Sequence, residues 1–381
     1  MITRLPRVLF VALGAVLLWV YPAWAAGVLE NASLGDGDPH HDGRDNRDGD
    51  DDDCDRDHDD DGDCDRHGDC DGLRFSDWAA PVSLGPIVNS TLGESFPALS
   101  KNGLSLYFMS GRIQPDAQGG QDIYVSQRSS VREPWGPPQN LGPAINTPFD
   151  DGAPSLSIDG HRMYFSSNRP GGFGGNDIYV SRRYDKSDDF AWQDPENIGS
   201  GVNTAANEAS PATFRDDRTG QVTLYFDSNR AGGPGPFTDD LAHNGNDLYA
   251  ATLGPDEAFG NAVLVGELST PSFDRAPTIR RDGLEVIFAS DRPGGVDRPD
   301  GLRFLDLWVS TRARTSDSWR PPTFLGLVVD SIANDAGPAL SFDGTALYFQ
   351  SGRPGGLGAF DLYVTTRMKL RGCRHSDHDR R

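Results

Sequence analysis

The sequence predicts an all-β protein, a five-bladed β-propeller built from four-stranded blades. One unit recurs five times around Pro97, Pro154, Pro211, Pro277 and Pro338, at spacings of 57, 57, 66 and 61 residues. Each copy holds three short runs in which apolar and polar residues alternate, as they do in half-buried strands. Five further segments, ending in PVSLG, PQNLG, PENIG, AVLVG and PTFLG, supply a fourth strand for each copy. Repeats of this length that contain only strands are typical of propeller blades.

The order of these segments also predicts how the ring closes. The first of the fourth-strand segments, at residues 78–85, precedes every three-stranded unit. It therefore has no earlier blade to join, and we expect it to complete the last blade beside Val364. Closure of this kind removes the exposed strand edges that an open sheet would present.

Four regions follow from these patterns: residues 1–25, 26–72, 73–368 (the propeller) and 369–381 (a C-terminal tail). The first has Arg4 and Arg7, then an apolar run from Val8 to Val20, then Ala23-Trp24-Ala25. This is the pattern of a secretory signal peptide, and the apolar run is too short to favour a membrane span. No cysteine directly follows the expected cleavage site. We therefore expect a periplasmic or extracellular monomer without a membrane span.

The second region is an acidic tract. The chain has a formal charge of −22, and residues 35–72 contain 18 Asp and four Arg. Such a charge disfavours nucleic acid as a partner, because phosphate binding relies on clustered Lys and Arg. One interpretation of the tract is a disordered linker, since it has almost no apolar residues. The other is a calcium site, because a DxDxDG run sets alternate carboxylates around one hard cation; its ligands would be Asp57, Asp59, Asp61, Asp63 and Asp65.

This run is similar to the aspartate-rich calcium repeats of thrombospondin type 3. Calcium is therefore the cofactor that the sequence predicts, and the histidines of the tract also allow a weaker transition-metal site.

Four cysteines in an exported chain suggest two disulfides, and four cysteines allow three pairings. Cys54, Cys64 and Cys70 lie in the acidic tract, and Cys373 lies in the tail. Closure of the ring would set the start of the propeller beside its end. We therefore predict the pairs Cys70–Cys373 and Cys54–Cys64.

The repeat motifs PxLSxDG, LYFxSxRPGG and DxYV resemble the TolB-type, WD-like β-propeller repeat, over about 290 residues. The resemblance implies a periplasmic or secreted propeller that mainly binds other molecules. The chain shows neither the extra N-terminal α/β domain of TolB nor an OmpA-like domain, so a role in a Tol-type envelope complex is not implied.

Two sets of charged residues recur in every copy. An arginine closes the second strand and an aspartate opens the third, and we expect them to form structural charged pairs within or between blades. These pairs are Arg112 with Asp122, Arg169 with Asp177, Arg230 with Asp247, Arg292 with Asp306, and Arg353 with Asp361.

An acidic residue also stands three positions before each repeated proline. These five carboxylates could ring the channel mouth and bind a cation or a basic group. In the alternative interpretation each one accepts backbone N–H groups or pairs with an arginine of its own blade. They are Glu94, Asp151, Glu208, Asp274 and Asp335.

The sequence contains none of the common catalytic motifs, such as GxSxG, HExxH, a Walker loop or a dinucleotide fingerprint. The expected function is therefore a non-catalytic interaction module that binds a protein, peptide or glycan at a propeller face, with the irregular loops of blades three and four as its specific parts. The alternative is a glycan-acting hydrolase or lyase that uses the channel-mouth carboxylates. A third interpretation is a mainly structural envelope protein.

Overall fold

The computed structural model describes residues 74–234, 245–299 and 301–370. It confirms the predicted architecture, because the chain forms five four-stranded antiparallel sheets. The predicted signal peptide, the acidic tract with its calcium ligands Asp57 to Asp65, and the four cysteines lie outside the described residues and stay predictions.

Each blade runs from an innermost strand beside the propeller axis to a short outermost strand. Blade 1 contains β3 (Glu94–Leu99), β4 (Ser105–Ser110), β5 (Asp122–Gln127) and β6 (Gln139–Asn140). Blade 2 contains β7 (Asp151–Leu156), β8 (Arg162–Ser167), β9 (Asp177–Arg182) and β10 (Glu196–Asn197). Blade 3 contains β11 (Glu208–Arg215), β12 (Val222–Ser228), β13 (Asp247–Thr252) and β14 (Val263–Leu264). Blade 4 contains β15 (Asp274–Ile279), β16 (Glu285–Ser290), β17 (Asp306–Thr311) and β18 (Thr323–Phe324).

Blade 5 is completed by the N-terminal strand, as predicted. Its strands are β19 (Asp335–Leu340), β20 (Ala346–Ser351) and β21 (Asp361–Thr366), and its outermost strand is β2 (Val82–Ser83). Val82 lies opposite Val364 in this pairing. Beside it, β1 (Arg74–Phe75) pairs with β22 (Lys369–Leu370), so the two ends of the described chain run together. The one α-helix in the described part, α1 (Gly85–Val88), follows β2.

The repeated proline marks a bulge in every innermost strand. The pairing register shifts at this point in all five blades. The residue before the proline adopts a positive φ of 49–57°: Phe96, Ala153, Ser210, Ala276 and Gly337. Proline suits the next position because it lacks an N–H, and a bulge next to the channel leaves no ladder partner for one.

The hydrophobic core lies between neighbouring blades. One cluster, for example, joins Tyr107 and Ile123 of blade 1 to Met163 and Phe165 of blade 2. Equivalent clusters fill the other contacts around the ring. Within the described residues, no helix is long and apolar enough to cross a membrane.

Candidate functional site

The five repeated carboxylates lie inside the blades. Glu94, Asp151, Glu208, Asp274 and Asp335 are each 0% exposed. Each accepts hydrogen bonds from the backbone N–H and from the hydroxyl group of the serine or threonine four residues earlier. Their side chains therefore do not face the channel, and the expected ring of ligands at its mouth is not formed by these residues.

The repeated arginines pair with these same carboxylates. The Nη2 to carboxylate oxygen distances are 2.8 Å for Arg112 and Glu94, and 2.5 Å for Arg292 and Asp274. Blades 2, 3 and 5 have the same pair at 2.6, 3.1 and 2.8 Å. Each arginine also donates to a backbone carbonyl oxygen, as Arg112 does to Val88 at 2.6 Å. Each arginine therefore pairs with the acidic residue of the innermost strand in its own blade. The predicted pairing with the aspartate that opens the third strand is not formed.

The aspartates that open the third strands have a different role. Asp177 accepts the N–H of Phe173 at 2.6 Å, and Asp361 accepts the N–H of Leu357 at 2.6 Å. Asp122 and Asp306 hold the equivalent loops of blades 1 and 4 in the same way. Each of these carboxylates holds the glycine-rich loop between the second and third strands by accepting a backbone N–H from that loop. The aspartate recurs because the loop recurs.

A cavity lined by all five innermost strands lies on the propeller axis and has a volume of about 400 Å³. Its wall is the row of innermost strands, from the positive-φ residues at one end to the hairpins between first and second strands at the other. The volume falls in the range of roughly 300–1,000 Å³ that small-molecule sites occupy. The lining is mixed, with aliphatic side chains, hydroxyl groups and charged groups at the hairpin end.

One residue from each hairpin surrounds the opening at that end, which we call the mouth ring. Equivalent positions in the five blades carry Lys101, Ile158, Arg215, Arg281 and Phe342. Phe342 lies between two cations, with Lys101 Nζ at 4.6 Å and Arg281 Cζ at 4.8 Å from its ring centroid. Unlike the buried carboxylates, the mouth ring differs from blade to blade.

The opposite end of the cavity, which we call the floor, is formed by the positive-φ residues. Here the guanidinium carbon of Arg275 in blade 4 lies 5.7 Å from the ring centroid of Phe96 in blade 1. These blades are not neighbours, so the side chain reaches across the axis. The Oγ of Ser210, also on the floor, is buried and has no hydrogen-bond partner.

Asp159 is the one carboxylate on the cavity wall within the described part of the chain. Its Oδ1 accepts hydrogen bonds from Ser157 Oγ at 2.6 Å and from the N–H of His161 at 3.0 Å. Burial opposes ionisation, but these bonds and the charge of Arg162, 3.9 Å away, outweigh it and lower the pKa of Asp159. The carboxylate is therefore ionised at neutral pH.

Tyr164 lies on the same side of the cavity. Burial raises the pKa of its hydroxyl group above the ordinary value of 10.0. Asp159, Arg162 and Tyr164 thus supply a carboxylate, a cation and a protonated hydroxyl on one wall, that of blade 2. We call this set the blade 2 wall.

No candidate metal centre appears among residues 74–234, 245–299 and 301–370, since no three His, Cys, Asp or Glu side chains come together in a suitable group. The irregular loop of blade 4 is held in place by Arg298. This side chain pairs with Asp306 at 2.7 Å and donates to the carbonyl oxygens of Ile332 and Ala333. The inserted loop of blade 3 is only partly described.

Sequence reasoning missed both the mouth ring and the blade 2 wall. In the sequence, Asp159 and Gly160 belong to the repeat motif PxLSxDG, where Asp-Gly is typical of a tight turn. The sequence did contain one signal for the mouth ring. Lys101, Arg215 and Phe342 stand at the same position of the repeat, yet their side chains differ in charge and size.

Neither family models nor curated proteins match the sequence. Solved structures do match. An α-L-arabinofuranosidase from Lactobacillus brevis has a TM-score of 0.50 at 14% identity, over 75% of this chain and 93% of its own. An endo-arabinase from Bacteroides thetaiotaomicron has a TM-score of 0.47 at 16% identity, over 78% and 99%. A thermostable family-43 glycoside hydrolase has a TM-score of 0.47 at 13% identity, over 75% and 92%.

These comparisons correct three predictions from the sequence. The solved structure with a TM-score of 0.50 is a glycoside hydrolase, which contradicts the assignment to TolB-type, WD-like repeats and the predictions of a non-catalytic module and of a protein that is not an enzyme. The physical reason lies in the motifs. Their proline forms a bulge, their Asp-Gly a turn and their arginine an internal ion pair, so they report blade construction and not a binding family. At these identities the likeness shows the fold alone.

Proposed function

We propose that this protein is a glycan-acting hydrolase whose substrate enters the axial cavity through the mouth ring. The observation that carries the proposal is the blade 2 wall, where an ionised carboxylate and a protonated hydroxyl group lie on one side of a ligand-sized cavity. The arabinofuranosidase of the same fold with a TM-score of 0.50 supports this choice of reaction class. Sugar-cleaving activity also agrees with the export that residues 1–25 predict.

The chemistry assigned to the wall follows from its protonation states. Glycoside hydrolysis passes through a transition state with positive charge on the sugar ring, which a nearby carboxylate stabilises. Asp159 suits that role because its lowered pKa keeps it charged, and only one of its oxygens is occupied by the hairpin. Tyr164 keeps its proton and can donate a hydrogen bond to a sugar oxygen.

The experiment compares two aspartates in equivalent hairpins. Asp343 accepts bonds from Ser341 Oγ and the N–H of Thr345, as Asp159 does from Ser157 and His161. Only Asp159 lines the cavity. We expect Asp159→Asn to lower the release of reducing ends from plant polysaccharides by about 100-fold or more, while Asp343→Asn keeps full activity and both variants melt at similar temperatures.

The polysaccharide panel would contain arabinan, arabinoxylan, xylan and polygalacturonate. The proposal fails if the wild-type protein releases reducing ends from none of these. It also fails if the two aspartate variants lose activity equally, because both side chains would then act only in their hairpins.

A further inference from the structure

The mouth ring is positively charged, although the whole chain is strongly acidic. Three of the five residues in the mouth ring are cations, and none is an acid: the cations are Lys101, Arg215 and Arg281, and the other two residues are Ile158 and Phe342. Arg275 lies outside the cavity wall, at a position where the other blades have Ser95, Gly152, Ala209 and Ala336. The cations of the cavity wall therefore lie at its hairpin end.

These cations are weakly compensated. Within the described residues, Lys101, Arg215 and Arg275 form no ion pair, and Lys101 contacts the ring of Phe342 instead. Arg281 pairs with Asp217 at 3.3 Å, but both side chains are about half exposed, so solvent screens this pair. The cations are thus free to interact with a ligand.

Two nearby acids, Asp216 and Asp282, lie outside the cavity wall and have partners of their own. Asp216 accepts the N–H of Arg218 and the hydroxyl group of Thr315, and Asp282 is bound by Arg280. The five carboxylates inside the blades are neutralised by their arginines. Asp159 is the one acid on the cavity wall, against the three cations of the mouth ring, and this excess of positive charge on the wall favours an anionic ligand.

From this distribution we infer that the glycan is anionic, and that the mouth ring binds carboxylate or sulfate groups on its sugars. This inference rests on the proposed function, since it specifies the substrate class of the same cavity. Arginine and lysine form charge-assisted hydrogen bonds with both kinds of anion.

The test measures binding of oligosaccharides to the full chain, separately from the release of reducing ends that tests the proposed function. Calorimetry would compare oligogalacturonate, a carrageenan oligosaccharide and a neutral arabino-oligosaccharide of similar length, each at low and high salt. We expect one of the two anionic sugars to bind at least about tenfold more tightly than the neutral one, with the difference shrinking at high salt. The two anionic arms distinguish carboxylate from sulfate recognition.

A charge reversal in the mouth ring tests whether the anionic sugar binds there. The double variant Lys101→Glu/Arg281→Glu is expected to lose at least about tenfold in affinity for the anionic sugar. The matched control is Arg132→Glu, which reverses an exposed charge outside the cavity. Circular dichroism checks that both variants fold. If the double variant does not fold, the single variant Lys101→Ala replaces it in the binding experiment.

The outcomes are distinct. Equal affinity for neutral and anionic sugars, or equal loss in the Arg132 control, overturns the anionic inference even if the protein cleaves glycans. Tight, mouth-dependent binding of an anionic sugar supports the inference even if no bond is cleaved, and in that case the proposed hydrolase activity alone fails. Binding of inorganic sulfate as tight as that of either sugar would also contradict the inference, because the sugar would contribute nothing.

Discussion

Two rings of five residues, each with one residue from every blade, differ in burial and in how much the residue varies between blades. The inner ring of Glu94, Asp151, Glu208, Asp274 and Asp335 is acidic in every blade and fully buried. The mouth ring has Lys101, Ile158, Arg215, Arg281 and Phe342 at equivalent positions and lines the cavity. A residue that every blade repeats holds the blade together. The mouth-ring positions, at which the blades diverge, line the cavity that we propose binds a glycan.

The largest effect is expected from breaking an internal ion pair. Asp274→Ala leaves Arg292 buried without its counter-charge, and removing one partner of a buried pair costs about 3–5 kcal/mol. The free energy of unfolding, measured by urea denaturation, should fall by that amount. A loss below about 1 kcal/mol would mean that the inner ring contributes little to stability.

A second prediction concerns a repeated position where blade 5 departs from the pattern. Asn89, Asn146 and Asn203 each bond both the N–H and the carbonyl oxygen of one residue in a third strand. Asp330 takes this place in blade 5 and accepts the N–H of Leu307, but its Oδ2 is buried without a partner. An amide would satisfy the site that this carboxylate leaves unsatisfied.

The same residue gives a pH dependence. Burial raises the pKa of Asp330 well above its usual value, Asp335 and Asp306 raise it further, and Leu307 N–H and Arg353 oppose the shift. Because the folded state prefers the protonated form, stability is lost as pH rises from the unfolded pKa of about 3.9 through the folded value. Asp330→Asn should therefore stabilise the protein by about 1–3 kcal/mol at pH 7, and by much less near pH 4.

Unfolding curves of wild type and Asp330→Asn over a pH series check this prediction. Asn146→Asp is the matched reverse change, and it should destabilise blade 2 at pH 7 and less at low pH. A stabilisation by Asp330→Asn that stays constant over the whole pH range would contradict the account.

The smallest effect on stability is expected in the mouth ring. Lys101→Ala removes an exposed cation and its contact with Phe342, which is worth about 0.5–1 kcal/mol at most. The melting temperature should change by no more than a few degrees. A large fall in melting temperature would show that the mouth ring is also part of the structural frame.

The sequence predicted the fold well because blade construction is local and repeated. Proline at a bulge, Asp-Gly in a turn and alternating apolar residues each specify structure over a few residues, and five copies reinforce the signal. The closure by Val82 and Ser83 followed from counting strands. The partner of Arg112 was predicted less well, since two acidic residues of the repeat were available and only the three-dimensional packing selects Glu94 over Asp122.

The site was predicted poorly for a related reason. Repetition drew attention to carboxylates that the structure buries. Arg275 has no arginine at the equivalent position of the other blades, and its contact with Phe96 across the axis depends on closure of the ring. Asp159 and Asp343 are indistinguishable in sequence, because both follow a serine by two residues and precede a glycine. Only their positions relative to the cavity separate them.

The most direct test of the division between the two rings measures stability and glycan affinity together for one variant from each. Asp335→Ala represents the inner ring and Arg215→Ala the mouth ring. The account predicts that Asp335→Ala lowers the free energy of unfolding by about 3–5 kcal/mol, whereas Arg215→Ala leaves it within about 0.5 kcal/mol and weakens binding of the anionic oligosaccharide. An Arg215→Ala variant that binds the oligosaccharide as tightly as wild type, at unchanged or reduced stability, would contradict it.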